Sequence, residues 1–260
     1  MDQNGHIVAV VNYGNESIAL LQCLWEAGYK SVQAVSVETG WAGVGWAARI
    51  SHAREWVSTL GFQTVHLKAH PDFEALVRAR HEFPTPQFQW CASLMKGLPI
   101  LEWLDEWDPE LRATVVLGLM AVHSPLFVGA PHTQMDQTVY GGRVLHCPLM
   151  DCDLETERAL IGRSGLSYLP HRSLECDPCI HSCLADLARL DPIDILKTEA
   201  LETALGESFL ELSALGSDQR IAVLSAHSQQ LMQTLGSDGQ DTQRLGCGFS
   251  GCGRSYGCGT

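Results

Sequence analysis

The feature that most constrains this chain is an alternation, through its first 120 residues, of short β-branched runs with helical stretches. His6 to Val11 (HIVAVV) reads as a buried strand. A polar turn, Asn12 to Ser17 (NYGNES), leads into IALLQCLWEAG, which is apolar almost all round and is stopped by Gly28. That is the pattern of a buried helix. Val32 to Val37 is a second strand, ended by Thr39 and Gly40. Ala47 to Leu60 is helical and closed by Gly61, and Thr64 to Leu67 is a third strand. Phe73 to Arg80 is helical until FPTPQ (83–87) breaks it. Cys91 to Trp107 is a helix with a kink expected at Pro99, and Thr114 to Leu119 is a fourth strand. Strands alternating with helices predict an α/β fold with a parallel sheet covered on both faces.

The rest is less regular. Residues 124–146, rich in Pro, Gly and polar groups, read as a surface loop. Leu154 to Arg163 reads as a helix, and LSYLP (166–170) precedes a cysteine cluster. From Asp186 to about Leu235 the pattern is helical, and the Gly-rich end is expected to be irregular. A chain of 260 residues fits one large domain, or one domain with an appendage.

Composition removes several classes. With 45% hydrophobic and 18% charged residues this is neither a disordered chain nor a coiled coil. No apolar run approaches the roughly 18 residues that span a bilayer, so no membrane association is expected. The start, MDQNGHIVAVV, has no basic region of the kind that opens a signal peptide, and a cytoplasmic location is expected. Lys+Arg is 17 against Asp+Glu 30, a net charge of −13. No basic run exists, so nucleic acid is expected only through a partner. A phosphorylated small molecule remains compatible, because a few arginines and backbone N–H groups suffice.

Ten cysteines are too many for a cytoplasmic disulfide framework to be the natural reading. Cys176, Cys179 and Cys183 (C-x2-C-x3-C) can place three thiolates on one turn, and Cys247, Cys252 and Cys258 crowd the tail. A cubane iron–sulfur cluster needs four thiolates, a tetrahedral zinc uses the same ligand type, and unliganded buried cysteines are the third alternative. His181 reads as a surface or supporting group, and Trp90 and Trp107 as core aromatics. The tail admits a mobile redox arm, a second metal site (with Cys147 or Cys152) or an unstructured end.

In an open parallel sheet, ligands sit at the carboxyl ends of the strands near the switch in strand order. The turn Asn12 to Ser17 lies at such an end and opens a helix, whose N–H groups and dipole favour an anion. Gly14 allows close backbone approach, Ser17 offers a hydroxyl, and Glu16 suits a metal or a ribose better than phosphate. The competing reading is an ordinary strand–helix turn capped by Asn15.

Strand–NYGNES–IALL resembles the modified loop SGGxDS of the PP-loop ATP pyrophosphatases, with Gly14 and Ser17 matching, Glu16 for Asp, Asn12 for Ser and Tyr13 for Gly. Val37 to Trp41 (VETGW) is similar to the DTG segment of phosphoadenylyl-sulfate (PAPS) and adenylyl-sulfate (APS) reductases. Trp90, Cys91, Lys96 and Pro99 resemble the "CC…RK…PL" segment of the iron–sulfur APS reductases. Pro148 to Asp151, then Leu166 to Pro170, resemble their following segments, and Glu175 to Cys179 (ECDPC) resembles their GCxPCT. The resemblance covers about residues 6–185. It implies a Rossmann-like parallel sheet with helices on both faces, plus a helical and Cys/Gly-rich C-terminal extension. The implied organisation is a PAPS reductase-like domain at 1–185, a helical extension at 186–235 and the tail at 236–260.

The resemblance further implies an adenine nucleotide (APS, PAPS or ATP) bound by Asn12, Tyr13, Gly14, Asn15, Glu16, Ser17, Thr39 and Gly40. It implies a 4Fe-4S cluster on Cys91, Cys176, Cys179 and Cys183, with zinc as the alternative. Cys183 stands in for the second cysteine of the family's adjacent pair, since position 90 is Trp. Cys247, in a faint echo of the family's "ECGLH", and Lys96 are the implied catalytic residues. The family's two arginines after strand four are missing; only Ser124 survives there, beside His123, so Arg49, Arg54 and Arg143 are the cations that can compensate. Three functions follow. The first is an iron–sulfur enzyme of sulfur metabolism that binds an adenine nucleotide and acts on or transfers sulfur through cysteine, resembling PAPS/APS reductases. The second is an ATP-dependent sulfurtransferase that thiolates a nucleic acid or a small molecule with release of AMP and pyrophosphate. The third is a non-catalytic nucleotide sensor or scaffold. A thiol reductant or a sulfur-donor protein is the expected partner, and a homo-oligomer the expected state.

Overall fold

The structure is a computed structural model, and it describes residues 5–123, 128–135 and 139–209. Six strands form one sheet in the order β3-β2-β1-β4-β6-β5. They are β1 (Ile7–Val10), β2 (Val32–Glu38), β3 (Gln63–Lys68), β4 (Thr114–Val116), β5 (Thr133–Met135) and β6 (Val144–His146). All pairings are parallel except β5 with β6. The α/β reading with a parallel sheet therefore holds.

Residues 124–146 were expected to be loop throughout, and this is corrected. Residues 144–146 pair with β4 in parallel, and 133–135 return antiparallel along their far side. Three-residue strands flanked by Gly, Pro and polar groups carry too short an alternation to be read from sequence.

Both faces of the sheet are buried. Val8 and Val10 face one cluster together with Val35, Val115 and Leu117, while Ile7, Ala9 and Val11 face the other with Ala34 and Val116. This period of two, apolar on both sides, explains the continuous β-branched runs. The second face is covered by α1 (Asn15–Glu26), α2 (Trp46–Thr59) and α6 (Leu154–Ser164), through Leu20, Leu24, Val57 and Ile161. The first face is covered by α3 (Phe73–Arg80), α5 (Leu98–Trp107) and α8 (Pro192–Leu205), through Val77, Leu104 and Leu201.

Aspartates start three of the helices. Asp72 accepts from Ala75 N, Asp153 from Thr156 N and Asp191 from Ile193 N. The expected helix at 91–107 is instead a short α4 (Trp90–Ala92), a π-helical stretch Ser93–Gly97 and then α5. The irregularity lies just before Pro99, whose ring cannot donate to the preceding turn. It points Lys96 inward, where that side chain is buried. A four-residue α7 (Leu184–Leu187) links the cysteine turn to α8. No helix among the described residues is long and apolar enough to cross a membrane.

Candidate functional site

The strand order switches direction between β1 and β4, so the crevice at their carboxyl ends is the natural ligand position. The turn after β1 lies there, but its polar groups serve one another. Asn12 Oδ1 accepts from Gly14 N at 2.8 Å and from Ser17 Oγ at 2.9 Å, and Ser17 Oγ accepts from Asn12 N at 3.0 Å. Tyr13 has φ +63 and a fully buried ring, so it is a core residue in a left-handed turn. Burial pushes its phenol pKa up, against the smaller lowering by Ser36 and Arg54. Asn15 clamps the segment after α6, donating to Leu169 O and accepting from Leu169 N, both at 2.9 Å.

Glu16 turns toward β4. Its backbone carbonyl approaches Gly118 so closely that a Cβ there would lie 2.8 Å away. Its carboxylate is 3.7 Å from His123 Nε2, which is also 3.7 Å from Glu157 Oε1. Glu157 is 1% exposed, and neither of its oxygens reaches a hydrogen-bond partner among the described residues. Burial would lower the His123 pKa, but the two carboxylates outweigh it and raise it.

Arg49 lies over the turn. Its Nε donates to Tyr13 O and its Nη1 to Ser167 O, both at 3.2 Å, and its buried Nη2 has no hydrogen-bond acceptor among the described residues. Arg54 donates to Thr64 Oγ1 at 3.3 Å. Arg143 is fully buried on Asp108, Leu104 O and Tyr140 O, which makes it a tie between α5 and the start of β6. Of the three compensating arginines, only Arg49 thus faces the turn.

Beside the crevice lies a cavity of about 520 Å3 of empty space, counted out to its mouth. Cys91, Cys176, Cys179, Lys96, Glu175 and Thr39 are in its wall, with Phe73, Met95 and Phe209 among the apolar remainder. Lys96 Nζ donates to Glu175 Oε1 at 2.5 Å, and Asn12 Nδ2 donates to the same oxygen at 3.1 Å. Thr39 Oγ1 donates to Glu175 O at 2.7 Å, and the Cys176 thiol lies 3.6 Å from Thr39 Oγ1. A second pocket of about 200 Å3, between Val11, Ser36 and Val37 at the ends of β1 and β2, shares Lys96 and Glu175 with the cavity. That ion pair is the partition between the two spaces. Gly40, with φ +72, packs against Asp72 and is not in the cavity wall.

Three of the four cysteines expected to hold a metal therefore line one cavity, and the fourth does not. Cys183 donates its thiol to Asp186 Oδ2 at 3.1 Å, and its backbone N–H donates to the same oxygen at 3.0 Å. Among the described residues no group of three or more His, Cys, Asp or Glu side chains is placed to hold a metal ion. As arranged, these residues do not fit a four-thiolate centre. Burial pushes the Cys176 thiol up to about 12, despite Lys96 beside it, as expected for a protonated thiol. His181 is buried rather than at the surface. Trp90 packs on Phe73, and Trp107 stacks on Trp103, as core aromatics. Cys247, the other tail cysteines and Ser124 lie outside the described residues.

Glu157 and Arg172, the latter also lining the cavity, carry no sequence motif, and Glu175 stands in the ECDPC segment without a role of its own in that reading. The one available signal was Glu175 standing where GCxPCT has glycine.

No protein-family model matches the sequence, and no curated protein matches it. Among solved structures, PAPS reductase from Candida auris, in a phosphate complex, is similar at 14% identity and a TM-score of 0.46, over 63% of this chain and 74% of that one. NMN synthetase from Francisella tularensis is similar at 11% identity and a TM-score of 0.47, over 87% and 86%. NH3-dependent NAD synthetase from Campylobacter jejuni, in complex with nitrate, is similar at 17% identity and a TM-score of 0.42, over 88% and 86%.

Proposed function

We propose that this chain is an adenine-nucleotide-binding enzyme that acts on or transfers sulfur through cysteine. The observation that carries the reading is the shared wall. Lys96 and Glu175 line both the pocket at the ends of β1 and β2 and the thiol-lined cavity. A nucleotide seated against the pocket at the ends of β1 and β2 points its far end toward that wall, beyond which lie Cys91, Cys176 and Cys179. The phosphate lies at the start of α1, near the unpartnered Nη2 of Arg49. Asn12 must swing out of the turn to expose Gly14 N and Ser17 Oγ to it. The helix dipole favours the anion there, and the apolar wall of the cavity keeps water from the sulfur.

The test is titration calorimetry of the full chain with AMP, ATP and adenylyl sulfate, paired with alkylation of the cavity cysteines. One adenine nucleotide binding per chain, weakened about tenfold or more by Arg49→Ala, and slower alkylation of Cys91 and Cys179 in its presence, is the expected result. If none of the three nucleotides binds, this reading falls and the non-catalytic scaffold takes its place. Metal analysis after anaerobic purification decides separately whether Cys183 leaves Asp186 to complete a four-thiolate centre. About four irons per chain would show that it does.

A further inference from the structure

We infer that Glu175 is a built-in counter-anion that fills the anion position of Lys96, so the cavity receives an uncharged group and discriminates against a sulfate or phosphate. The inference deepens the reading above and rests on it for the nucleotide, though not for the discrimination against anions.

Lys96 is the ammonium in the cavity wall, and a buried ammonium is the group an incoming sulfate would seek. Here its charge is already met by Glu175 Oε1 at 2.5 Å, with the two side chains 8% and 11% exposed. The carboxylate is not loosely placed. Asn12 donates to the same oxygen, and the Glu175 carbonyl is held by Thr39. The other wall cation, Arg172, is one of the charges acting on Asp177, although burial and Asp194 raise that acid to about 7. An anion entering this space must push out Glu175 and leave a buried carboxylate unpaired, or stay beside it and be repelled. An uncharged group meets neither penalty, and the rest of the wall (Phe73, Met95, Ile180, Phe209) suits it. The carboxylate is this chain's own, since the motif that 175–179 resembles has glycine at this place. The substrate class that fits is an adenylated compound whose far end is neutral, such as an activated carbonyl, rather than an adenylyl sulfate.

The experiment compares AMP with adenylyl sulfate by calorimetry at fixed ionic strength, on the full-length chain. The wild type is expected to bind adenylyl sulfate no more tightly than AMP. Glu175→Gln keeps the shape and an acceptor for Asn12 but frees the ammonium, so it is expected to bind adenylyl sulfate about tenfold tighter than AMP. Adding Lys96→Met to that variant is expected to remove the gain. A wild-type preference for adenylyl sulfate over AMP overturns the inference, and this comparison needs no variant to fold. A folded Glu175→Gln protein without any gain also overturns it. If neither nucleotide binds the wild type, the functional reading fails, and inorganic sulfate then decides the inference alone. Slower alkylation of Cys179 by sulfate in Glu175→Gln but not in the wild type supports it, and the same effect in both, or in neither, sinks it.

Discussion

The Lys96 ammonium and the Glu175 carboxylate, 79 residues apart in sequence, meet at 2.5 Å behind the strand ends, with only 8% and 11% of their side chains exposed. Such a pair costs more to break than to replace. Lys96→Met leaves Glu175 as a buried lone charge and should destabilise the fold by about 3–5 kcal/mol, whereas Lys96→Met with Glu175→Gln should regain most of it. Urea denaturation of the two singles and the double measures this. A double variant no more stable than Lys96→Met would show that the two groups are not coupled.

Arg143 makes a second buried tie, of structural kind. Its guanidinium is fully buried, and it donates to Asp108 Oδ2 at 3.0 Å, to Asp108 O at 2.7 Å and to Leu104 O at 3.0 Å. Lysine cannot reproduce this fork of donors. Arg143→Lys should cost about 3 kcal/mol or more, because the Asp108 carboxylate and the carbonyls of Leu104, Asp108 and Tyr140 lose partners in a dry site. Nucleotide affinity per folded molecule should stay as it was, since Arg143 is far from the turn in role as well as in contacts. A tenfold loss of affinity with full stability would place it in the site instead.

His123 gives the chain a pH dependence whose sign is fixed by its neighbours. Burial lowers its pKa, but Glu157 and Glu16 raise it more, so the net shift is upward. A histidine raised in the folded state binds its proton more tightly there than in the unfolded chain. Its stabilisation is complete below the unfolded value, about 6.5, and is lost as pH rises through the higher folded value. Urea midpoints taken from pH 5.5 to 9 should fall across that window, and His123→Gln should flatten the fall. An unchanged slope in His123→Gln would mean that the imidazole is not charged between the two glutamates.

The sheet was legible because β1, β2 and β3 carry apolar residues in period two and are bounded by glycines and polar turns. β5 and β6 were not, since three residues give no period to read, and what selects them is the free edge of β4. The turn Asn12 to Ser17 was correctly placed at a strand end, yet its internal wiring was hidden. Whether Asn12 faces a ligand or its own helix depends on Glu175, 163 residues away. The cysteines were legible as a cluster by spacing alone. That spacing did not reveal Asp186, which holds the Cys183 thiol away from the other three. Arg143 read as one of three cations able to compensate for the missing arginines, and nothing in its neighbourhood in sequence showed that α5 and β6 close around it.

The thiols offer the sharpest test of the cavity's electrostatics. Burial pushes both Cys147 and Cys176 up to about 12, so at pH 8 both are held as protonated thiols. Iodoacetamide should therefore leave both unmodified in the folded protein on the timescale that modifies them in urea-unfolded protein. The two part company when the ion pair is altered. Cys147 has burial alone against it, and neither Lys96 nor Glu175 changes its rate. Cys176 is held up by burial, is eased by Lys96 and is opposed by Glu175. Glu175→Gln removes the opposing charge and leaves the favourable one, so Cys176 should alkylate faster, by on the order of tenfold. Lys96→Met does the reverse and should make it slower still. Peptide mapping by mass spectrometry reads both sites in one sample, with Cys147 as the internal control for unfolding. Equal acceleration of both cysteines would mean that the variant opens the fold, and no acceleration of Cys176 would mean that Lys96 and Glu175 do not govern the charge at this thiol.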